Sequence, residues 1–484
     1  MDEVLNLSAL EMAAAIRERR VSALEVTQAT LARIKERDEG VHAFVHVAED
    51  TALAQARAVD EQVAAGEPAQ AGALLGVPVP IKDLTMVAGI PMQAGSAALE
   101  GFVPDVDDGV VTRFAEAGAI MVGKTATPEL GLPPYTETDI APPPVNPWDP
   151  TRSPGGSSGG AGAAVAAGLV PMAHGSDGGG SIRIPAGACG LVGLKVSRGR
   201  ISNGPYGVDG AALATQGVLT RTVADTALGL DVLCAPWPGD DRNLPRPEHG
   251  FLGALMASGG DRDPRVAGLK IGVLLDPIIG RDTHVHDAAI TGVERAIASL
   301  KQLGHQITRV EVPFAQEDWD PFLDVWSVMA AQAPIPEALE DTLVPLSRWM
   351  RERGRKVSGV TYANAISNGQ MLQRKAAAAW ADVDVVLSPT LAWPAAKIGS
   401  IRNDADPHED FLEQCRYTPW TSTWNILGAP SISLPVHSEE VDGVEVPFGV
   451  MLGARGGEEE LLLSLAADLE EVDPWVKRVA PIAG

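Results

Sequence analysis

The sequence predicts an α/β protein with a mixed central sheet between layers of helices. Short runs rich in β-forming residues alternate with helical stretches from residue 42 to residue 122, and the alternation resumes at residue 269. No low-complexity linker interrupts the chain. We therefore expect one large domain over residues 1–484, with α/β/α layers.

Two helices are predicted within residues 7–37, because the same tetrad occurs twice there. The segments from Ser8 to Glu11 and from Ser22 to Glu25 both read Ser-Ala-Leu-Glu. This is the pattern of a capping box, in which the serine and the glutamate side chains each accept a free N–H at the start of a helix. Both helices should therefore begin directly after their serines.

The remaining elements follow from periodicity and composition. Strands are predicted at residues 42–47, 75–81, 119–122, 269–275, 306–312, 383–387, 431–435 and 446–452, and helices at residues 50–64, 109–117, 287–303 and 458–469. Residues 314–349 contain several tryptophans and a mixed helical signal. A small inserted lobe after Phe314 stays open as an alternative to a single domain.

Composition excludes several classes of function. The chain has 38 basic and 63 acidic side chains, a formal net charge of -25, which repels phosphate backbones and anionic membranes. We therefore expect no nucleic acid and no membrane as partner. The three cysteines are far apart and odd in number, which argues against disulfides and a structural zinc site. With no secretory signal in the first residues, a cytoplasmic location is expected.

Two glycine- and serine-rich segments are the strongest candidates for a functional site. Residues 153–162 contain Ser157, and residues 174–185 contain a row of three glycines before Ser181. A segment such as Gly-Gly-Ser-Ser-Gly-Gly is by itself more typical of a flexible loop. The second segment, however, continues as Ile-Arg-Ile-Pro-Ala, which is not linker composition. Successive glycines can direct several N–H groups to one point and so form an oxyanion hole.

A serine nucleophile needs a base, and two residues are candidates. His174 is the nearest histidine in sequence, but the nine histidines are scattered along the chain. Lys82 directly follows the apolar run at residues 75–81. Lysines are rarely buried unless they are paired or functional. By itself, Lys82 is better explained as a strand-end lysine that reaches water or pairs with Asp83.

Three blocks together resemble the amidase signature hydrolases. Residues 76–83 read Gly-Val-Pro-Val-Pro-Ile-Lys-Asp, residues 154–160 read Pro-Gly-Gly-Ser-Ser-Gly-Gly, and residues 177–185 read Asp-Gly-Gly-Gly-Ser-Ile-Arg-Ile-Pro. Ser157 and Ser181 are 24 positions apart, as the two catalytic serines of that family are. The resemblance covers most of the chain. It implies the amidase signature fold, with a signature core at about residues 70–230 and a variable substrate-pocket region at about residues 314–428.

The resemblance also implies a role for each site residue. Ser181 would be the nucleophile, and Ser157, preceded by a cis peptide bond, would relay its proton to Lys82. The oxyanion hole would consist of the N–H groups of Gly178, Gly179, Gly180 and Ser181. The residues that hold these loops would be Ser158, Asp177 and Arg183. Two positions depart from the family pattern: Gly178 replaces a common threonine, which would widen the loop, and Met451 replaces a glutamine.

Two other motifs match the chain less well. Residues 118–125 fit the phosphate-loop pattern, but their intervening residues are apolar and strand-forming, and Pro128 follows where a helix should begin. Residues 155–159 fit the nucleophile elbow of α/β-hydrolases, which requires a preceding strand. The preceding segment is too rich in proline for a strand. We therefore expect neither nucleotide binding nor an α/β-hydrolase elbow.

The expected function is hydrolysis of amide C–N bonds through an acyl-enzyme, without metal or cofactor. Residues 193–202 look closest to the nylon-oligomer and aryl-amide branch of the family. A neutral, partly apolar small-molecule amide or carbamate is the expected substrate, and the pocket residues would include Tyr135, Thr136, Tyr206 and Trp326. The alternatives are a glutaminase-type subunit of a tRNA-dependent amidotransferase and an inactive binding protein. The sequence is compatible with a monomer or a homodimer.

Overall fold

The computed structural model describes residues 2–66, 72–256 and 266–483. Residues 1 and 484 of the predicted domain, and residues 70–71 of the predicted core, lie outside these ranges. The helices are α1 Asp2–Leu5, α2 Ala9–Arg17, α3 Ala23–Arg37, α4 Glu49–Ala64, α5 Gly109–Glu116, α6 Gly159–Ala166, α7 Arg183–Cys189, α8 Val223–Leu233, α9 Gly250–Met256, α10 Asp287–Gln302, α11 Gln316–Trp319, α12 Pro321–Gln332, α13 Pro345–Lys356, α14 Gly359–Ala379, α15 Pro407–Tyr417, α16 Thr421–Leu427 and α17 Glu459–Val472.

The strands form two sheets. They are β1 Phe44–Val47, β2 Ile81–Lys82, β3 Gly123–Thr125, β4 Met172–Asp177, β5 Val192–Lys195, β6 Thr215–Thr220, β7 Lys270–Val273, β8 Gln306–Arg309, β9 Val385–Pro389, β10 Ser431–Val441 and β11 Val444–Gly453. The large sheet has the order β4-β6-β5-β10-β11-β9-β7-β8, and a small sheet has the order β1-β3-β2. In the large sheet β7 pairs in parallel with β8 and β9, whereas the other pairs are antiparallel. The predicted mixed sheet is confirmed.

Helices cover both faces of the large sheet at its centre. Gly449 of β11 lies against Gly187 of α7, while the next residue, Val450, lies against Gly292 of α10. Adjacent residues of a strand point to opposite faces of a sheet. The two helices therefore pack on opposite faces, which agrees with the predicted α/β class and its layers.

The N-terminal helices begin where the sequence predicts. Ser8 accepts the N–H of Glu11 and Ser22 accepts that of Glu25, and both glutamates accept the N–H of their serines. The predicted strand at residues 75–81 is instead reduced to the two residues of β2. Prolines 78 and 80 have no N–H to donate to a neighbouring strand, so regular pairing begins only after them.

The hydrophobic side chains form one large core around the sheet and a second cluster rich in aromatic residues. The second cluster is built mainly from α11 to α16 and includes Trp319, Trp326 and Trp420. It belongs to the region that the sequence predicts as variable. Its longest helix, α14, was not predicted. Across the described ranges, no helix combines the length and apolar composition that a bilayer crossing requires.

Candidate active site

Three separate segments bring the predicted site residues together. Lys82 ends β2, Ser157 and Ser158 directly precede α6, and Ser181 lies in the short loop between β4 and α7. The peptide bond between Gly156 and Ser157 is cis, as the resemblance implied. Burial of the three predicted catalytic side chains is nearly complete, since Lys82, Ser157 and Ser181 are 0%, 2% and 8% exposed.

Among the described residues, the ammonium group of Lys82 contacts two serines and no carboxylate. Its Nζ donates to Ser157 Oγ at 2.7 Å and lies 3.1 Å from Ser176 Oγ. Burial lowers the pKa of Lys82 to about 7, and the charge of Asp177 acts in the opposite direction. At pH 7 about half of the amine is therefore neutral and able to accept a proton, whereas an ordinary lysine is almost wholly protonated.

The alternative pairing of Lys82 with Asp83 does not occur. Asp83 instead binds the buried ammonium group of Lys124, with Nζ and Oδ1 2.7 Å apart. Lys124 belongs to β3, within the phosphate-loop pattern at residues 118–125. Because its ammonium group is bound to Asp83 and its backbone lies in a sheet, this segment has the structure of a strand and not of a phosphate loop.

His174 has no free nitrogen with which to act as a base. Its Nδ1 accepts the backbone N–H of Lys82 at 3.3 Å, so the ring proton lies on Nε2, which is 3.0 Å from Gln216 Oε1. Burial lowers the pKa of His174 to about 3, although the hydrogen bond to Gln216 opposes this. The histidine is neutral and holds the backbone of Lys82 in place.

The loop that carries Ser181 is organised by Asp177. The carboxylate of Asp177 accepts the N–H of Gly180 at 2.8 Å and the N–H of Ile182 at 3.1 Å, and binds Arg183 Nη2 at 2.8 Å. Gly180 has a φ of 139°, and a side chain there would meet α16 and α7. Glycine is needed at this position because other residues rarely adopt such a φ and no space is free.

One part of the predicted oxyanion hole is corrected by this hydrogen bond. The N–H of Gly180 points to the carboxylate of Asp177, so it is not available to a substrate oxygen. In the part of the chain that the structure describes, the N–H groups of Gly178, Gly179 and Ser181 donate to no protein acceptor. Three of the four predicted donors are therefore free to bind an oxygen.

Arg183 and Ser158 connect the loops, as the resemblance implied. The guanidinium group of Arg183 binds Asp177, the Thr421 carbonyl and Asn425 Oδ1, and its Nη1 is 3.5 Å from the Met451 sulfur. The backbone N–H of Ser158 donates to the Ser181 carbonyl at 3.2 Å.

Asn425 and Ser176 are site residues that the sequence analysis missed. Asn425 donates to Asp177 Oδ1 at 2.9 Å, and Ser176 contacts Lys82. Ser176 precedes the third block by one position, which is the only signal that could have identified it.

The hydrogen bonds from Lys82 extend to Ser157 but not to the predicted nucleophile, Ser181. Lys82 is bonded to Ser157, but within the described ranges no hydrogen bond joins the hydroxyl groups of Ser157 and Ser181. Catalytic hydrogen bonds are often long in unliganded sites and tighten when substrate binds.

Ser181 lines a cavity of about 50 Å³ whose wall is mainly aromatic and aliphatic, with polar side chains at Gln414, Thr418 and Ser422. The wall includes Leu132, Pro133, Ile279, Trp319, Phe322, Trp326 and Phe411. Of the four predicted pocket residues, only Trp326 lines this cavity. Tyr135 is buried and donates to Asp410 at 2.7 Å, Thr136 donates to the Gly155 carbonyl at 2.8 Å, and Tyr206 is exposed on another loop. These three residues are corrected from pocket residues to structural or surface positions.

The site offers hydroxyl groups, amides and an amine, and no cluster of metal ligands. Among residues 2–66, 72–256 and 266–483, no three His, Cys, Asp or Glu side chains converge as metal ligands would. The chemistry available in the described site is therefore nucleophilic attack by a serine with a lysine as base.

Known proteins share this fold over nearly the whole chain. A family model described as "Amidase" matches residues 25–463. A glutamyl-tRNA(Gln) amidotransferase subunit from Pseudomonas aeruginosa is 34% identical over 98% of this chain and 98% of its own length. The structure of 6-aminohexanoate cyclic dimer hydrolase aligns with a TM-score of 0.89 at 30% identity, covering 99% of both chains. A bacterial aryl acylamidase aligns with a TM-score of 0.86 at 25% identity, covering 99% of this chain and 98% of its own.

Proposed function

Since the chain belongs to the amidase family, we propose that it is an amidohydrolase that cleaves C–N bonds through a serine acyl-enzyme formed on Ser181. The observation that carries this proposal is the contact of a buried, carboxylate-free lysine with a serine hydroxyl, Lys82 to Ser157 at 2.7 Å. A lysine whose pKa is lowered to about 7 can act as a base near neutral pH.

The proposed reaction has two steps. Ser181 Oγ attacks the substrate carbonyl while its proton passes to Ser157 Oγ, and the Ser157 proton passes to Lys82 Nζ. The free N–H groups of Gly178, Gly179 and Ser181 stabilise the oxyanion. The ammonium group of Lys82 then returns the proton through Ser157 to the leaving amine. Water repeats the sequence on the acyl-enzyme and releases the acid.

In this mechanism Asp177 and Arg183 are positioning residues. They fix the loop that carries Ser181 through hydrogen bonds to its backbone and to α16. Ser158 joins the two serine loops in the same way. A preorganised loop is valuable because its N–H groups need not reorient when negative charge develops on the substrate oxygen.

The proposed substrate is a neutral, partly apolar small molecule. The wall next to Ser181 contains stacked aromatic rings, with Trp319 and Phe322 centroids 4.9 Å apart and Phe322 and Trp326 centroids 5.5 Å apart. Such a wall favours an apolar acyl or amine group. Amides are the primary candidates. A carbamate presents the same carbonyl and could enter the same reaction, giving an amine, carbon dioxide and an alcohol.

Covalent labelling tests the nucleophile directly. A serine-directed fluorophosphonate is expected to attach to Ser181 in the wild type, and peptide mass spectrometry locates the label. Ser181→Ala should lose both the label and amide hydrolysis, whereas Ser400→Ala, which removes an exposed hydroxyl far in sequence from the three blocks, should behave like the wild type. A label on Ser157 would reverse the assigned roles of the two serines.

A second candidate function is the glutaminase-type subunit of a tRNA-dependent amidotransferase. The identity of 34% to a glutamyl-tRNA(Gln) amidotransferase subunit favours it. The two functions differ in what they require: the amidohydrolase should work alone, and the subunit should need partner chains. Purified protein that hydrolyses a simple anilide without partners or ATP would exclude the subunit. Dependence on added partner chains and ATP would exclude the stand-alone enzyme.

A further inference from the structure

Gly178 lies against the indole ring of Trp326. A Cβ placed on Gly178 would be 3.1 Å from Cη2 and 3.2 Å from Cζ3 of Trp326. These distances are shorter than ordinary van der Waals contacts. The sequence suggested that glycine at this position widens the loop, but the structure shows that Trp326 occupies the space. The large side chain of Trp326 therefore fits against Gly178 because glycine has no side chain.

The indole ring of Trp326 is held in place by aromatic rings of α12 and of the preceding helix α11. Its ring is stacked on Phe322, which is stacked in turn on Trp319. Trp326 is 9% exposed. The stacking on Phe322 and the close contact with Gly178 leave the ring little freedom to turn away.

Helix α12 borders three spaces, two of which meet along the helix next to Trp326: it is the last residue of the helix that lines the cavity at Ser181, and Met329 is the first that lines a larger cleft. Phe322 and Trp326 line the small cavity at Ser181. Met329 and Gln332, one and two turns further along the helix, line a larger cleft of about 650 Å³. Ala214 also lines that cleft, and its Cβ is 4.0 Å from the Cβ position at Gly178.

The two spaces differ in chemistry. The wall of the cavity at Ser181 is mainly aromatic and aliphatic. The larger cleft is lined by polar side chains, among them Asp108, Asn203, Asp209, Gln216 and Gln332, and no Lys, Arg or His belongs to its described wall. A substrate that reaches both spaces would present an apolar group to one and a polar, neutral or cationic group to the other.

We propose that Trp326, seated against Gly178, is the specificity-determining partition of the site. It limits the group bound beside Ser181 to a compact apolar one and directs the polar remainder of the substrate into the larger cleft. This inference rests on the proposed amidase function. The substrate class is an amide with a compact apolar group on one side of the carbonyl and a polar, uncharged or cationic group on the other.

The first experiment changes the size of the partition. The kcat/KM of a series of 4-nitroanilides with acyl groups from acetyl to branched and aromatic is measured for the wild type, Trp326→Phe and Trp326→Leu. The ratio of bulky to compact substrates should rise by roughly 10- to 100-fold in Trp326→Leu, and less in Trp326→Phe. Trp380→Leu removes another buried tryptophan of the same aromatic cluster that lines neither space, and should keep the wild-type ratio.

The second experiment tests the contact itself. Gly178→Ala places a methyl group against Trp326 and should lower kcat/KM for the compact substrate by about tenfold or more. In the Trp326→Leu background the same change should cost clearly less, because the ring is gone. Equal losses in both backgrounds would overturn the partition, as would an unchanged substrate ratio in both Trp326 variants.

Fluorophosphonate labelling separates the two possible failures. If Ser181 is labelled and amides are cleaved, but the substrate ratio does not respond to residue 326, only the partition is wrong. If no variant, including the wild type, is labelled at Ser181 or cleaves any amide, the amidase function is wrong and the partition falls with it. Thermal unfolding of each variant checks that the altered ratio comes from folded protein.

Discussion

Lys82 and Lys124 lie on neighbouring strands and differ in the groups that their side chains bind. Strands β2 and β3 run parallel, with Lys82 opposite Thr125 and Lys124 opposite Ile81. Both lysines are 0% exposed, and burial lowers the pKa of both. Lys124 has a carboxylate partner at 2.7 Å, whereas Lys82 has serine hydroxyl groups.

Burial alone therefore does not distinguish a lysine that can act as a base from one that has a structural role. A buried ammonium group that is paired with a carboxylate can keep its charge and connect two segments. A buried amine without such a partner is stable only when it is neutral for much of the time, and a neutral amine is a base.

Removal of the base should have the largest effect. Lys82→Ala is expected to lower kcat/KM for an anilide by at least ~10²–10⁴-fold, because general-base assistance alone is worth that much. Lys82→Arg should be no better, since a guanidinium group stays protonated. Near-normal hydrolysis by either variant would show that the base lies elsewhere and that the two lysines do not differ as proposed.

Removal of Lys124 should mainly lower the stability of the protein. Lys124→Met leaves the buried carboxylate of Asp83 without its cation, and the free energy of unfolding in urea should fall by about 3–5 kcal/mol. Lys82→Met removes an amine that has no carboxylate partner and should cost clearly less. The double variant Asp83→Asn with Lys124→Met is the control and should recover part of the loss. Equal losses for Lys82→Met and Lys124→Met would contradict the comparison.

The pH dependence of kcat/KM for the wild type should reflect the protonation of Lys82. The pKa of its ammonium group is lowered to about 7, and only the neutral amine accepts a proton. Below pH 7 the rate should therefore fall by about tenfold per pH unit, and above pH 7 it should level off. The measurement is kcat/KM between pH 5 and 9, about two units on either side of that pKa. If the residual activity of Lys82→Ala falls below pH 7 in the same way, the titrating group is not Lys82.

The smallest effect is expected from chelators. Neither the reaction at Lys82 nor the ion pair at Lys124 involves a metal in the proposed scheme. Incubation with EDTA or 1,10-phenanthroline followed by dialysis should leave both kcat/KM and the unfolding midpoint unchanged. A loss of turnover that zinc restores would contradict the serine–lysine mechanism.

The sequence predicted those parts of the molecule that depend on local pattern. The capping boxes at Ser8 and Ser22 depend only on residues three positions apart, and both helices begin where predicted. The residues of the three blocks also meet in space as the resemblance implied. Strand β2 is short because Pro78 and Pro80, which precede it, cannot donate to a neighbouring strand, and the periodicity of apolar residues did not take this into account.

The parts that the sequence did not predict depend on contacts between distant segments. Asn425 binds Asp177 across 248 positions, and nothing near Asn425 in the sequence distinguishes it. The burial that keeps His174 neutral and its hydrogen bond to Gln216 likewise cannot be identified before the fold is known. Tyr135 and Tyr206 do not line the cavity at Ser181, because proximity in sequence to the site residues does not determine which side chains face a cavity.

The ion pair of Asp177 and Arg183 has a consequence for the energy of the reaction itself. The site is buried, and the proposed first step creates two opposite charges there, an ammonium ion at Lys82 and an alkoxide on the substrate. Such charge separation is costly in a medium of low polarity. The negative charge of Asp177 favours the ammonium form of Lys82, while the free N–H dipoles of the loop face the alkoxide. In the proposed mechanism the charge of Asp177 and these N–H groups would therefore lower the cost of the charge separation, because they are in place before the reaction begins.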